Sequence, residues 1–285
     1  MKSMLDIYLT RRYNYAIMKI EVSHESPISC LELSLSYNDY AYALVHLFDE
    51  RPEYYKFFEK VRKTTNIPVL LDNSIFELGH SFDPEEYKHW IYKLDPNYYI
   101  VPDVLESARG TIDAWIEFNS NTLHKGPKQI GVVQGQTWTE LVECYRWMSG
   151  HADYIAISFD YSYYQTTGFG DHRLARMASG RQRFIQQLID EGIWNWNKPH
   201  HLLGCGLARE FRYYVDKNIY NIKSCDTSNP VVAAIKGLQY NEEFGLSEKP
   251  STLLADLIDT ELDDTQLELL GYNVKMFKKI LRREV

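Results

Sequence analysis

The chain has 285 residues, 45% of them hydrophobic, and a formal net charge of −8. That length is enough for a sizeable core and suits one α/β barrel of roughly 250 residues with an extension. No run of about twenty apolar residues occurs, which speaks against a membrane span. The acidic balance speaks against a wholly basic nucleic-acid surface but leaves room for a local basic patch.

The first residues, MKSMLDIYLTRRYNYAIM, lack the apolar core and cleavage site of a secretory signal. Residues 1–17 read as an N-terminal extension, and MKIEVS from Met18 as the start of a first strand. The four cysteines, Cys30, Cys144, Cys205 and Cys225, form no C-x-x-C pair, and no His cluster stands at zinc spacing. Neither a structural zinc nor a cofactor is expected, and the thiols read as reduced, in keeping with a cytoplasmic setting.

From there one pattern recurs: an apolar β-rich run, a polar or glycine turn, then a helical period. LELSLS and YALVHLF are early strand candidates. RPEYYKFFEKVRKTT is helical, with Pro52 near its start. IPVLLD is a buried-type strand ending at Asp72, and SFDPEEYKHWIYKLD a helix with Asp83 as cap and Pro84 in its first turn. NYYIV runs into Pro102 and Asp103, followed by a helix from about Glu106 to Phe118. QIGVVQG closes on Gln134 and Gly135, and TWTELVECYRWM is a helix with Thr137 or Thr139 near its cap. ADYIAIS ends at Ser158, with Asp160 just beyond. A long polar and aromatic stretch then leads into the helix FIQQLIDEG.

The run HHLLGCG closes on Gly204 and Gly206, LAREFRYYVDK is a short amphipathic helix, and NIYNIKSCD runs into Asp226. In TSNP, Asn229 can cap a helix and Pro230 suits its first turn. About eight strands alternate with helices, the signature of a (β/α)8 barrel over residues 18–237. Beyond Gly237 the pattern changes to two or so helices, acidic first and basic last, so residues 238–285 read as a C-terminal helical appendage.

In such a barrel the C-terminal ends of the strands build the active site. Those positions carry Asp72, Asp103, Gln134, Ser158, the Gly204–Gly206 turn and Asp226. A single strand-end aspartate is commonly a turn former; six such positions converging on one mouth point to chemistry. One carboxylate can attack a carbon and later leave, and a second can shuttle a proton. A third, with the Gln134 amide, can hydrogen-bond the edge of a planar heterocycle. Phe76 can lie over the face of that ring or serve as a core aromatic.

The same segments resemble the tRNA-guanine transglycosylases and their phage relatives that put 7-deazaguanines into DNA. LLDNSIFELG is similar to the family's T-D-S-G-G-[FY]-Q, which implies that Asp72 is the acid/base aspartate and Phe76 the aromatic stacked on the base. IVPDV resembles the segment of the base-recognising aspartate, implying that role for Asp103. GVVQG is very like G-[IV]-V-Q-G, implying Gln134. KPHHLLGCG is similar to K-P-x-[HY]-L-[ML]-G-[VI]-G, implying Leu203 beside the base and Gly204 in the turn. IKSCDTSNP stands where the family carries its nucleophile, so the resemblance gives that role to Asp226. It covers roughly Val69 to Gly237.

The departures are specific. Ser158 and Phe159 replace the family's Gly-Gly pair, changing the pocket wall, and Ser74 and Ile75 stand in the T-D-S-G-G segment. The register around Asp226 differs by a few residues. The zinc segment of the tRNA enzymes is absent, which favours a compact, phage-type member acting on DNA over one acting on tRNA. The implied reaction is base exchange through a covalent aspartyl-glycosyl intermediate, with a nucleic acid and a 7-deazaguanine as partners and a target guanine flipped out or single-stranded. A homodimer is compatible with this reading.

From Tyr161 to Arg183, tyrosines and Phe169 interleave with His172, Arg173, Arg176, Arg181 and Arg183. Aromatics can stack on bases and arginines can hold phosphates; a surface loop leading into a solvated helix is the competing interpretation. The basic tail KMFKKILRREV reads as an amphipathic helix. Two other functions stay open: a barrel lyase or nucleoside hydrolase using the same carboxylates, and a non-catalytic nucleic-acid-binding subunit. Retention of three acids at strand ends argues against the latter.

Overall fold

Eight parallel strands form one sheet that curls into a (β/α)8 barrel. The computed structural model describes residues 19–120, 126–159, 162–246 and 254–282; the extension 1–17, with Asp160 and Tyr161, lies outside them. The strands are β1 Glu21–His24, β2 Ala41–Leu44, β3 Val69–Asp72, β4 Tyr98–Ile100, β5 Lys128–Val133, β6 Tyr154–Ile157, β7 His200–Leu202 and β8 Ile222–Thr227. The ladder runs from β2 through β8 and on to β1, with one register shift, between His200 and His201 in the β7–β8 pair. Between β1 and β2 a side chain bridges the sheet. Asp39 Oδ2 accepts from Val22 N at 2.9 Å, and Asp39 N donates to Val22 O at 2.9 Å.

The helices, in chain order, are α1 Leu31–Tyr37, α2 His46–Glu50, α3 Pro52–Thr64, α4 Ile75–Leu78, α5 Pro84–Leu94, α6 Ala108–Ser120, α7 Trp138–His151, α8 Ser162–Thr167, α9 Arg173–Asp190, α10 Glu210–Asp216, α11 Asn229–Ile235 and α12 Asp264–Arg282. Strands β2 and β3 are buried along their whole length, as parallel strands covered by helices must be. Asp83 caps α5 by accepting from Glu85 N and Glu86 N, and Thr137 forms a capping box with Glu140 at α7.

Three expectations need correction. LELSLS is helix α1, not a strand: its leucine-serine alternation imitates period two, yet burial falls on Leu31 and Ser34, one helical turn apart. From Ser162 to Arg183 the stretch is part of helical hairpin α8–α9, not a long loop. The two helices approach so closely that a Cβ on Gly180 would lie 2.2 Å from Tyr164 O. Asn229 does not cap α11. It is buried, its Nδ2 donates to Gly206 O, and its Oδ1 accepts from Tyr240 OH at 2.8 Å.

The C-terminal residues pack onto the barrel. Helix α12 lies against α11, α10 and α1. Buried Asn273 accepts from Tyr240 N at 2.9 Å and donates to Leu238 O at 2.9 Å. Lys278 and Arg282 reach Asp39 at 3.0 and 2.6 Å, and Arg282 also donates to Ile20 O. Cys30, Cys144, Cys205 and Cys225 are buried, free thiols. Among the described residues, no helix is long and apolar enough to cross a membrane.

Candidate functional site

The strand ends converge on a cavity of about 450 Å³ whose walls include Asp72, Asp103, Gln134, Ser158, Leu203, Gly204 and Asp226. Phe76 and Arg173 stand on the same wall. All of the strand-end positions singled out in the sequence therefore share one chamber. The three strand-end carboxylates, which share the cavity lining with Glu25 and Glu77, have different partners.

Asp226 lies near the end of β8. Its Oδ1 faces His201 Nε2 at 3.0 Å. Gly204 N lies 3.2 and 3.1 Å from Oδ1 and Oδ2. That geometry depends on the turn after β7: Gly204 has φ +60°, a left-handed conformation that glycine adopts without strain. The N–H is thereby turned back onto the neighbouring strand's carboxylate. Cys205 N then donates to Asp226 O at 2.9 Å, extending the β7–β8 pairing past the turn.

Asp72 ends β3. Tyr42 OH donates to its Oδ2 at 2.7 Å, and Ser74 N donates to Oδ1 at 2.6 Å. Ser74 has φ +58°, an unusual conformation for a residue with a side chain. Burial pushes the Asp72 carboxyl well above its ordinary range, and the neighbouring charges of Glu77 and Asp226 push the same way against the two hydrogen bonds. Asp72 is therefore weighted toward its protonated form and lines the same cavity as Asp226.

Asp103 lies just beyond β4 and is 1% exposed. Asn73 Nδ2 donates to its Oδ1 at 2.7 Å, and Gln134 Nε2 donates to Oδ2. Burial raises its pKa to about 6, partly offset by those two amides. Gln134 Oε1 accepts from Glu106 N at 2.8 Å, so both ends of its amide are engaged. Gln134 thus orients Asp103 and the Glu106 loop, which narrows the direct base-edge contact expected of it.

Ser158 sits half-buried on the wall, and its neighbour Phe159 fills the space behind the turn, its ring 3.2 Å from where a Gly206 Cβ would stand. Leu203 is half-buried beside Gly204. Phe76, on short helix α4, is 56% exposed at the mouth. It stands free to cover a ring rather than filling the core.

The basic set divides. Arg173 is exposed on the cavity wall. Arg183 is exposed and donates to Thr167 O at 2.6 Å, and half-buried Arg176 donates to Gly170 O at 3.3 Å. Arg181 is not a surface contact at all. It is 0% exposed, forms a two-pronged pair with Glu210 at 2.8 and 2.9 Å, and donates to Leu203 O at 2.7 Å. Successive arginines at 181 and 183 fall on opposite sides of α9, and the inner one braces the β7 turn.

Several residues of the site were not anticipated: Tyr42, Asn73, Glu77 and His201. Asn73 and Glu77 flank Asp72 in sequence, and a search of its neighbours for polar groups would find them. His200 and His201 are adjacent in a strand, so one must point into the barrel. His200 points outward, stacked on Trp194 at 3.7 Å, and His201 inward.

A scan against models of known protein families matches none, and a search of curated proteins returns no match. Among solved structures, the chain is similar to one from Aquifex aeolicus VF5 described only as a structural study. The identity is 14%, the match covers 95% of this chain and 96% of that one, and the TM-score is 0.48. It is also similar to the BexX/CysO complex of Amycolatopsis orientalis, at 11% identity, 92% and 89% coverage and a TM-score of 0.42. At those values the likeness says nothing about chemistry, and the functional reading rests on the cavity itself.

Proposed function

We propose that the protein is a base-exchange transglycosylase that replaces guanine in a nucleic acid, DNA in preference to tRNA, with a 7-deazaguanine. One observation carries the reading. Two buried strand-end carboxylates face one cavity in complementary settings: Asp226 receives N–H donors, while Asp72 is weighted toward its protonated form by burial and Glu77.

In this mechanism an Asp226 oxygen attacks the sugar C1′ and the glycosidic C1′–N bond breaks. The departing guanine takes the bond's electron pair and a proton from Asp72. The incoming 7-deazaguanine then gives its ring N–H proton to the Asp72 carboxylate. Its nitrogen forms the new bond to C1′ and releases Asp226. Asp103, held by Asn73 and Gln134, presents its remaining lone pairs to the base's N–H edge. Phe76 covers the ring and Arg173 approaches a flanking phosphate. The reduced thiols suit a cytoplasmic setting.

The test is incorporation of labelled guanine or 7-cyano-7-deazaguanine into guanine-containing DNA and into tRNA. Label should enter DNA with the wild type and be lost with Asp226→Ala. Entry into tRNA alone would correct the polymer. No entry of any candidate base, with the wild type folded, would move the assignment to a hydrolase or lyase.

A further inference from the structure

Below Asp226, a file of polar side chains crosses the barrel interior where aliphatic residues would pack as well. His201 Nε2 lies 3.0 Å from Asp226 Oδ1, and His201 Nδ1 lies 2.8 Å from Ser224 Oγ. Ser224 Oγ in turn lies 2.9 Å from Tyr154 OH. His201 is 0% exposed and Ser224 is 7% exposed. Tyr40 meets the imidazole edge-on at 6.3 Å between ring centres, and Tyr42 stacks on it at 6.5 Å. Both of those hydroxyls donate elsewhere, Tyr40 to Cys225 O and Tyr42 to Asp72.

Counting donors gives the file a direction. As the nucleophile of the proposed mechanism, Asp226 acts as a carboxylate, which only accepts, so the hydrogen between it and His201 must come from Nε2. A neutral imidazole then has a bare Nδ1, which accepts from the Ser224 hydroxyl. The Ser224 oxygen in turn accepts from Tyr154. Every O–H and N–H in the file points toward Asp226. An aromatic residue at 201 would fill the slot between Tyr40 and Tyr42 equally well, but it would leave Asp226 Oδ1 without this donor.

Resting on the transglycosylase reading, we propose that His201 is the positioning residue of the Asp226 nucleophile, held as the Nε2–H tautomer by that carboxylate and backed by Ser224 and Tyr154. Its N–H holds Oδ1 while the carboxylate is aimed at C1′. In the glycosyl-enzyme it remains on Asp226. It then stabilises the negative charge that returns to Asp226 as the C1′–O bond breaks and the electron pair leaves with the carboxylate.

Two variants separate donation from shape. His201→Gln keeps an N–H donor of similar reach, whereas His201→Phe keeps the aromatic fit. The proposal expects His201→Gln to stay within roughly tenfold of wild-type kcat for base exchange. It expects His201→Phe to lose at least about a hundredfold in kcat, with KM for the free base changed little. The reverse order would overturn it, because a purely space-filling role favours Phe. The second readout needs no activity: the ring-nitrogen spectrum of ¹⁵N-histidine-labelled full-length protein, with His201 assigned by its absence in His201→Gln. Wild type should show His201 as the Nε2–H tautomer, and Asp226→Ala, which removes the acceptor of that hydrogen, should convert it to a mixture. An Nδ1–H tautomer in the wild type, or no change in Asp226→Ala, would overturn the proposal even if base exchange is confirmed. Absence of base exchange in the wild type, with the expected tautomer present, would instead overturn the transglycosylase reading.

Discussion

At the scale of single residues, the cavity separates its acids by environment. Asp72→Asn keeps the volume and an oxygen for Ser74 N–H, turns the Tyr42 contact round so that the amide donates to its hydroxyl, and has no proton to transfer. Base exchange should fall by about 10²–10⁴ while binding of the free base persists, measured as kcat against KM. Asp103 yields a stability prediction with a definite sign. Its folded-state pKa of about 6 lies above the ordinary 3.8, so between those values the folded chain holds a proton that the unfolded chain releases. The penalty is absent below about 3.8, grows as pH rises, and is complete above about 6, amounting to about 3 kcal/mol for so buried a group. Urea midpoints of wild type should fall from pH 4 to pH 7 more steeply than those of Asp103→Asn; parallel slopes would sink the assignment. The acids themselves are legible in the sequence because each closes an apolar run. Their partners are not. His201 stands 25 residues from Asp226, and Tyr42 stands 30 from Asp72. Only the parallel pairing of β7 with β8 and of β2 with β3 brings those pairs together.

At the scale of elements, α9 shows what periodicity does and does not reveal. Its second half, FIQQLIDEG, announces a helix, but the sequence shows neither that the helix starts at Arg173 nor which arginine is inside, since the counter-charge Glu210 comes from α10. Arg181→Leu should cost about 3–5 kcal/mol, because Glu210 is left as a buried charge with Tyr214 its remaining donor. Arg173→Ala should leave stability within about 0.5 kcal/mol and weaken nucleic-acid binding, measured by melting and by filter binding. Equal stability of the two variants would refute this division. Helix α1 was illegible for a different reason. Six alternating residues fit a strand as well as nearly two helical turns; in the fold Leu31 and Ser34 are the buried pair, and the Ser34 hydroxyl donates to His24 O at 3.2 Å.

At the scale of the whole molecule, the barrel is a sheet whose first and second strands are joined through Asp39 and secured by the last helix. Its carboxylate is drawn down from the ordinary range. Burial opposes this, but the Val22 N–H and the cations Lys278 and Arg282 outweigh it. The sign is opposite to that of Asp103. The stabilisation from Asp39 is complete above the ordinary 3.8 and is lost as pH falls through the depressed value. Asp39→Asn should therefore cost about 1.5–3 kcal/mol near pH 7 and converge with wild type in acid, read from urea unfolding. A constant difference across pH would refute it. The order of the strands could be read from the alternation of elements. This junction could not, because it depends on a contact between residues 39 and 282, 243 apart in the chain.

The Arg282–Ile20 contact also gives the molecule an orientation. Ile20 directly precedes β1, so this contact lies at the N-terminal rim of the barrel, whereas the cavity opens at the strands' C-terminal ends. Ile20 and Arg282 thus fasten one rim, the underside of the barrel. A support that gripped the protein at that rim would hold its mouth toward the solution, open to a passing polymer.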